Sequence, residues 1–219
     1  MKSEVNILFN RNDENKMTIF DVGANIGKYT EEIFLCFKQN SEIEVHCFEP
    51  SAITHEKLSE NLRGFNVVIN KLGLSDYEGE ASLHFDKEVS GLASLYKRNI
   101  EYLGIAFNKE EKIKLTTIDE YCKKMNIVKI DMLKMDVEGN EYKVLLGASK
   151  MLNEKKIKAI QFEFGGCNID SRTFFRDYWD ILHDKYDFYK ILSKKLFKIS
   201  GYHEILEHFV NSNYYCVLK

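Results

Sequence analysis

The segment Phe-Asp-Val-Gly-Ala-Asn-Ile-Gly at positions 20–27 closes a short apolar run, residues 17–21, and precedes an amphipathic stretch. Two glycines, Gly23 and Gly27, permit a tight turn, so the pattern predicts a buried strand, the turn, and a helix from about Ile26 to Lys38. Bare backbone ahead of a helix amino terminus also lets a ligand come close. A glycine pair serves close helix–strand packing equally well, so this segment alone leaves both interpretations open.

Short apolar runs alternate with amphipathic stretches along most of the chain. Strands are predicted at about residues 17–21, 43–48, 65–70, 133–137, 157–164, 188–192 and 214–218, and helices at about 26–38, 51–63, 118–125, after Gly139, and at 171–184. This alternation is typical of an α/β fold with a mostly parallel, doubly wound sheet and helices on both faces. Such sheets bind ligands at the carboxyl ends of their strands, where the strand order reverses.

The alternation breaks between about residues 72 and 115, where short β-like pieces such as 81–85 are separated by polar turns. We interpret this stretch as a β-rich insertion that could carry substrate contacts. The chain has one proline and no Gly/Ser-rich linker. The prediction is therefore a single domain over residues 1–219, with the insertion and an acceptor-side segment at about 165–213.

Composition argues against several classes of partner. The net charge is −3, without the basic stripe that is typical of nucleic-acid binding, and it disfavours an anionic membrane surface. Five separated cysteines form no C-x-x-C pair, as expected for free thiols in a reducing compartment. Residues 1–16 lack the apolar core of a signal peptide, and no apolar run reaches the ~20 residues of a membrane span. We expect a cytoplasmic protein that binds no nucleic acid, with homo-oligomerisation left open.

An acidic residue follows the second predicted strand, at Glu49. A carboxylate there can accept both hydroxyls of a ribose, although it could also merely solvate a strand end. The glycines around Asn25 are spaced G-x-x-x-G, unlike the G-x-G-x-x-G of dinucleotide sites. Asp21, directly at the turn, would repel a pyrophosphate but suits the ammonium and sulfonium charges of S-adenosylmethionine. The residues therefore favour this methyl donor over NAD.

A third polar cluster, Lys-Met-Asp-Val-Glu-Gly-Asn-Glu at positions 134–141, follows the fourth predicted strand. Acidic residues at the start of a helix are stabilised by the helix dipole, and this explains the acidic residue at Glu141 without a functional role. Asp136 lies at the strand end itself, and we expect its side chain to point into the same cleft as Asp21.

With these motifs in order, the chain resembles the FkbM family of class I S-adenosylmethionine-dependent methyltransferases. The resemblance runs from about Thr18 to Phe164 and rests on the combination of five motifs. They are the segment at 20–30, Cys-Phe-Glu-Pro at 47–50, Gly-Leu-Ser-Asp at 73–76, Lys-Leu-Thr-Thr-Ile-Asp-Glu-Tyr at 114–121, and Leu-Lys-Met-Asp-Val-Glu-Gly-Asn-Glu at 133–141.

The resemblance implies a Rossmann-like fold with a seven-stranded sheet, whose last strand is antiparallel. It also implies a set of contacts to S-adenosylmethionine, which leaves as S-adenosylhomocysteine. Asp21, Gly23, Asn25 and Gly27 would hold the methionine portion, Glu49 the ribose, Ser75 and Asp76 would lie near the adenine, and Asp136 would face the methyl group and the acceptor. The family is associated with O-methylation of sugars, polyketides and related natural products. The chain departs from the family pattern after Phe164, so the resemblance does not identify the acceptor.

Methyl transfer to a hydroxyl benefits from a general base, because a sugar hydroxyl is a poor nucleophile. The candidates are Asp136 first, Glu163 at the end of the fifth strand second, and His203 third. Lys134, Glu138 and Asn168 are predicted to contact the acceptor, although Asn168 could equally belong to a tight turn capped by Asp170. Asp136 and Glu163 could instead bind Mg²⁺, but no H-x-D or D-D pair supports a metal site, and none is predicted.

The sequence thus predicts an O-methyltransferase for a sugar, a nucleotide sugar or a glycan-related small molecule. The first alternative is a methyltransferase for a nitrogen, lipid or polyketide acceptor. A second is a subunit that binds the cofactor without catalysing transfer. An NAD-dependent oxidoreductase is disfavoured by the glycine spacing.

Overall fold

The computed structural model describes residues 16–37, 42–193 and 195–219. The strands in these ranges are β1 (Lys16–Val22), β2 (Glu42–Phe48), β3 (Val67–Asn70), β4 (Gly73–Leu74), β5 (Gly79–Phe85), β6 (Lys109–Thr116), β7 (Met132–Met135), β8 (Ala159–Phe164), β9 (Tyr186–Leu192), β10 (Lys195–Ile199) and β11 (Ser212–Leu218). The helices are α1 (Lys28–Cys36), α2 (Ala52–Asn61), α3 (Ile118–Met125), α4 (Glu141–Leu146), α5 (Ser149–Asn153), α6 (Cys167–Ser171) and α7 (Phe175–Leu182). Residues 1–15 and the predicted end of the first helix at Lys38 lie outside the described residues.

The main sheet has the strand order β10-β9-β11-β8-β7-β1-β2-β3. Strands β3, β2, β1, β7 and β8 run parallel, and β11 inserts antiparallel between β8 and β9. The predicted doubly wound sheet with its antiparallel last strand is confirmed. The expected strand number of seven is one too low, because β10 pairs antiparallel with β9 and adds an edge strand. Its sequence, Lys-Leu-Phe-Lys-Ile, has only two adjacent apolar residues between lysines, a run too short to predict a buried strand.

Helices cover both faces of this sheet. One apolar core contains side chains of α3, α4, α5 and α7, among them Tyr121, Leu145 and Tyr178. The other core packs α1 and α2 against the opposite face through residues such as Ile33 and Leu58. Every residue of β7 is buried, as expected for a central parallel strand that is covered on both sides.

A second sheet of three strands, with the order β4-β6-β5, lies within the region predicted to be β-rich. It has a small apolar core of Leu83, Ile113 and Leu115. Strand β4 follows β3 of the main sheet after two residues. The second sheet is therefore joined directly to the carboxyl-terminal edge of the main sheet, where ligands of such folds bind.

The helix predicted at 171–184 is wrong as a single element. Helix α6 ends at Ser171, because Arg172 adopts a left-handed conformation with φ of +57°. The chain is extended again at Phe174, whose backbone N–H donates to the Asp177 carboxylate, and α7 begins at the next residue. The periodic apolar stripe of α7 continued upstream into this break and concealed it.

The turns after β1 and β7 approach each other more closely than side chains would permit. Gly23 has φ of +76°, and a Cβ atom placed there would lie 1.9 Å from the carbonyl oxygen of Asp136. The Asp136 N–H in turn donates to the carbonyl of Val22 over 3.0 Å. Glycine is therefore required at position 23 for both its conformation and its lack of volume, and this contact places Asp136 beside the β1 turn.

We expect Gly23→Ala to lower the free energy of unfolding by more than about 3 kcal/mol, because it combines left-handed strain with a backbone clash. Gly64→Ala is the matched control, since Gly64 has φ of +93° but no atom within 4 Å of an added Cβ. The control should lose only about 1–2 kcal/mol. Urea unfolding of both variants measures the difference, and equal losses would contradict the proposed clash.

Candidate active site

A cleft opens at the carboxyl ends of β1, β2 and β7, the position at which sheets of this kind bind ligands. Its walls combine main-sheet loops with the second sheet and the loop after β5. The lining residues are Val22, Gly23, Asn25, Phe48, Glu49, Pro50, Gly73, Leu74, Leu83, Ser90, Gly91, Ala93, Leu95, Ile113, Leu115, Asp136, Val137, Glu138 and Asn140. We call this cavity the main cleft.

Glu49 lies in the main cleft, where it is 8% exposed. One carboxylate oxygen accepts the backbone N–H of Asn25 at 3.1 Å, and the other accepts that of Ser51 at 3.0 Å. Burial raises the pKa of Glu49 to about 7, although these two N–H groups favour its charged form. A buried carboxylate that faces a cleft beside a glycine turn matches the chemistry predicted for a ribose site.

Asp21 does not line the main cleft, contrary to expectation. Its carboxylate is fully buried, where one oxygen accepts the Thr30 hydroxyl at 2.7 Å and the other lies 3.0 Å from the Lys134 ammonium. Burial opposes the charge of Lys134, but Asp21 and Asp136 outweigh it, so the pKa of Lys134 is raised. Lys134, also predicted to contact the acceptor, therefore neutralises Asp21, and direct contact of Asp21 with a cationic ligand is not supported by its position.

The two glycine-loop residues Asn25 and Gly27 have different surroundings. Asn25 borders the main cleft and has φ of +49°, with its side-chain amide donating to the carbonyl of Ser90 at 3.2 Å. Gly27 precedes α1, and an added Cβ would lie 2.9 Å from Leu62. Gly27 therefore serves the packing of α1 on α2 and does not line the main cleft.

The residues predicted near an adenine, Ser75 and Asp76, also lie outside the cleft lining. The Ser75 side chain is buried and donates to Asp76, which forms an ion pair with Lys143 over 2.8 Å. The preceding pair, Gly73 and Leu74, lines that wall of the cleft. The part of this motif that lines the main cleft is therefore its apolar half.

Three carboxylates converge where β7 and β8 end. Oxygen atoms of Asp136, Glu138 and Glu163 lie within 4.8 Å of one another. Burial and the neighbouring charge of Asp136 raise the pKa of Glu138 to about 8, against the attraction of Arg98, whose guanidinium lies 2.7 Å from Glu138. Although the three oxygens are close enough together to hold one divalent cation, Arg98 already supplies a positive charge there. We therefore favour a cluster compensated by Arg98 over a metal site.

A second cavity, of about 780 Å³, adjoins the main cleft and shares Gly23, Asn25, Gly91 and Asp136 with it. Its remaining lining residues are Ala24, Ile26, Lys28, Tyr29, Val89 and Lys134. We call it the side cavity. Asp136 therefore borders both cavities, and its carboxylate remains 48% exposed. Of the three predicted bases, Asp136, Glu163 and His203, Asp136 is the one among the described residues that lines both cavities.

Two of the predicted site residues are elsewhere or are already engaged. His203 is exposed and accepts the backbone N–H of Ile205 at the start of a short 3₁₀ helix. Asn168 is fully buried, and its side chain bonds to Gly165, Thr173 and Tyr178. These bonds occupy both polar atoms of the Asn168 side chain, so its position does not support the predicted contact with the acceptor.

Sequence reasoning missed the loop after β5. Ser90, Gly91, Ala93 and Leu95 line the main cleft, and Arg98 contacts the carboxylate cluster. No motif marks these residues. The only usable signal was a run of small residues inside the predicted insertion, because small side chains leave room beside a ligand.

Comparison with known proteins identifies the family. Residues 21–189 match the family described as the methyltransferase FkbM domain. The chain belongs to this family. It is 24% identical over 148 residues to the 2-O-methyltransferase NoeI of Sinorhizobium fredii, covering 63% of this chain and 60% of NoeI. It is 29% identical over 149 residues to the hexuronic acid methyltransferase AglP of Haloferax volcanii, covering 67% of this chain and 56% of AglP. The FkbM chain described here thus spans less than two thirds of the length of either relative.

Solved structures confirm the fold of this FkbM chain. An O-methyltransferase from Bacillus cereus, in complex with SAH, superposes with a TM-score of 0.52 at 8% identity, covering 100% of this chain and 80% of the other. A proposed rRNA methylase from Clostridium thermocellum superposes with a TM-score of 0.52 at 10% identity, covering 98% and 95%. At such identities the likeness concerns the fold alone. The Rossmann-like class I methyltransferase fold predicted from the motifs is confirmed.

No helix in the described ranges could cross a bilayer, since the longest has ten residues.

We expect the contribution of Glu49 to the stability of the unliganded protein to fall as the pH rises from about 4.5 to about 7, its ordinary and folded-state pKa values. The folded state holds this proton more tightly than the unfolded state, so ionisation favours unfolding. Glu49→Gln mimics the protonated form and should gain about 1–3 kcal/mol relative to wild type between pH 5 and pH 8. Urea unfolding at several pH values measures this gain.

The exposed Glu56→Gln variant is the control and should follow the wild-type profile. Glu138 and Glu141 also have raised pKa values, to about 8 and about 7, so Glu49→Gln should remove only part of the slope. Parallel profiles for Glu49→Gln and wild type would show that Glu49 does not titrate in this range.

Proposed function

We propose that this chain is an S-adenosylmethionine-dependent O-methyltransferase that acts on a hydroxyl of a sugar, a nucleotide sugar or a glycan-related small molecule. The observation that carries the proposal is the position of Asp136. It borders both the main cleft, which contains Glu49, and the side cavity, so one carboxylate can serve a cofactor in the first and an acceptor in the second.

The residues present fit the cofactor. The buried Glu49 offers carboxylate oxygens to the paired hydroxyls of a ribose, and apolar side chains such as Leu83, Ile113 and Leu115 offer a surface for an adenine. Space is available beside Gly91, where an added Cβ would meet no atom closer than Asn25 Nδ2 at 4.0 Å. When bound, S-adenosylmethionine supplies a methyl group activated by the positive sulfonium and leaves as S-adenosylhomocysteine.

The charge pattern of the site favours a cationic cofactor through Asp136 rather than through Asp21. Lys134 lies 3.0 Å from Asp21 but 3.7 Å from Asp136, and Asp21 is enclosed while Asp136 is open. The ion pair of Asp21 and Lys134 fixes the ends of β1 and β7, and the carboxylate of Asp136 provides the negative potential. The negative charge that suits the sulfonium is therefore that of Asp136, directly after the neighbouring strand β7, rather than that of Asp21.

Asp136 is also the group best placed to act as general base. Its carboxylate accepts the proton of the attacking hydroxyl, which makes the oxygen a better nucleophile. Carboxylate oxygens of Glu138 and Glu163 lie within 4.8 Å of it, so further acidic groups border the same position. Much of the remaining rate enhancement comes from holding the acceptor oxygen in line with the methyl group.

The acceptor class rests on the relatives and on the side cavity. NoeI is named as a 2-O-methyltransferase, and AglP as a hexuronic acid methyltransferase. The side cavity is lined by Lys28 and Asp136, whose polar groups suit a carbohydrate better than a lipid chain. We therefore retain a sugar hydroxyl as the acceptor.

We expect Glu49→Gln to weaken S-adenosylmethionine binding about 10-fold to 100-fold, because the ribose loses a charged acceptor. Asp136→Asn should change binding less than about fivefold but reduce kcat at least about 100-fold through loss of the base. Calorimetry and methyl-transfer kinetics separate the two effects. The exposed Asp184→Asn should alter neither. Equal loss of binding in both site variants would refute the catalytic role of Asp136.

We also expect methyl transfer from labelled S-adenosylmethionine onto at least one member of a panel of nucleotide sugars, uronic acids and oligosaccharides. Transfer should persist in EDTA, because Arg98 rather than a metal compensates the carboxylate cluster. Loss of activity in EDTA with recovery on adding Mg²⁺ would establish a metal-dependent reaction instead. Failure of wild-type protein to bind S-adenosylmethionine or S-adenosylhomocysteine would overturn the proposed function.

A further inference from the structure

The segment that connects β5 to the 3₁₀ turn at Glu101–Leu103 runs across the mouth of both cavities. We call residues 86–99 the strap. Ser90, Gly91, Ala93 and Leu95 of the strap line the main cleft, and Val89 and Gly91 line the side cavity. A ligand in the main cleft would therefore lie between the strap and the ends of the main-sheet strands.

Both sides of the strap are held by contacts. On the side of the second sheet, Ser94 and His84 of β5 exchange two backbone hydrogen bonds, of 2.8 and 3.0 Å. Ala93 and Leu95 pack on the apolar core of the second sheet. Toward the main sheet, hydrogen bonds connect the strap to the loops after β1 and β7. Asn25 donates to the carbonyl of Ser90 at 3.2 Å, and the buried Ser94 hydroxyl donates to the carbonyl of Glu138 at 2.7 Å.

Arg98 forms the strongest of these connections. Its guanidinium lies 2.7 Å from a Glu138 oxygen and 3.6 Å from an Asp170 oxygen, and its side chain is only 9% exposed. The backbone N–H of Asn99 also donates to Asp170, at 3.4 Å. Glu138 belongs to the wall of the main cleft, whereas Asp170 belongs to α6 in the segment after β8. One side chain thus connects the strap, the cofactor side and the predicted acceptor side.

The strap also carries a strained residue. Val89 has φ of +54°, a conformation that β-branched residues rarely adopt because the side chain crowds the backbone. Its neighbour Ser90 accepts a hydrogen bond from the Asn25 side chain. A strained residue, together with side-chain rather than backbone hydrogen bonds toward the main sheet, is what a segment hinged on the second sheet requires to open.

From these contacts we infer that the strap is a movable cover of the main cleft and that Arg98 is the positioning residue that holds it closed, joining cofactor retention to assembly of the acceptor side. The inference rests on the proposed function for the identity of the ligand. It assigns Arg98 no contact with substrate or reacting atoms, because Arg98 acts through Glu138 and Asp170.

The test compares the full chain with Arg98→Met, Arg98→Lys and Ser94→Ala. Methionine keeps much of the side-chain volume but removes both ion pairs, and lysine restores one charge. Ser94→Ala weakens closure independently of any charge. The exposed Arg63→Met is the matched control. Amide hydrogen exchange of residues 87–99 reports opening of the strap in the unliganded protein, and stopped-flow displacement reports the dissociation rate of S-adenosylhomocysteine.

We expect Arg98→Met to accelerate exchange within the strap and to raise the dissociation rate at least about tenfold, since a cover that opens more often releases the ligand sooner. Arg98→Lys should recover part of both effects, Ser94→Ala should act in the same direction, and Arg63→Met should match wild type. A KM for S-adenosylmethionine that rises more than kcat falls would separate closure from general damage.

Unchanged exchange in both Arg98→Met and Ser94→Ala would overturn the inference, as would faster exchange with an unaltered dissociation rate. If wild type binds no S-adenosylhomocysteine, the proposed function fails. The exchange data on unliganded protein then decide by themselves whether Arg98 holds the strap.

Discussion

The close approach of the β1 turn to the β7 turn is the constraint on which the site depends. With no side chain at Gly23, the carbonyl of Asp136 can lie against the first turn, and the Asp136 N–H extends the pairing of β1 with β7 by one bond to Val22. This backbone contact sets the separation of the two loops. Because Asp136 is fixed by its own main chain, its carboxylate can remain exposed at the junction of two cavities without losing its position.

Charge in the site is arranged in two layers. The inner layer is the enclosed pair of Asp21 and Lys134, and the outer layer is the carboxylate cluster with Arg98. A buried pair contributes little net stability but is costly to break, so the inner layer mainly holds the strands in one arrangement. The outer layer is partly open to solvent, and we propose that it meets the cationic methyl donor. Separating structural from functional charge in this way allows several acids and bases to share one strand edge.

The sequence predicted the parts of the site that depend on backbone and strand order. Gly23, Glu49 and Asp136 could be placed because glycine spacing and strand ends are local features. The role of Asp21 could not be predicted, because Lys134 approaches it from another strand and the side-chain direction is decided by packing. The contacts of Arg98 could not be predicted for a similar reason, since its partners Glu138 and Asp170 are distant in the sequence. The break before α7 was not predicted because Arg172 adopts a left-handed conformation for which arginine has no particular preference.

The added strand β10 has a consequence for the solubility of the folded chain. It exposes one edge of the main sheet, with Phe197 58% exposed, and an open strand edge is a template on which another chain can pair. Lys195 and Lys198 are exposed on the same short strand, and Lys198 is held by Asp187 of β9 over 3.1 Å. Two copies aligned edge to edge would bring like charges together. Lys195 and Lys198 interrupt the apolar residues of β10 and so make the strand hard to predict from the sequence. The same two lysines disfavour pairing of this edge with another chain.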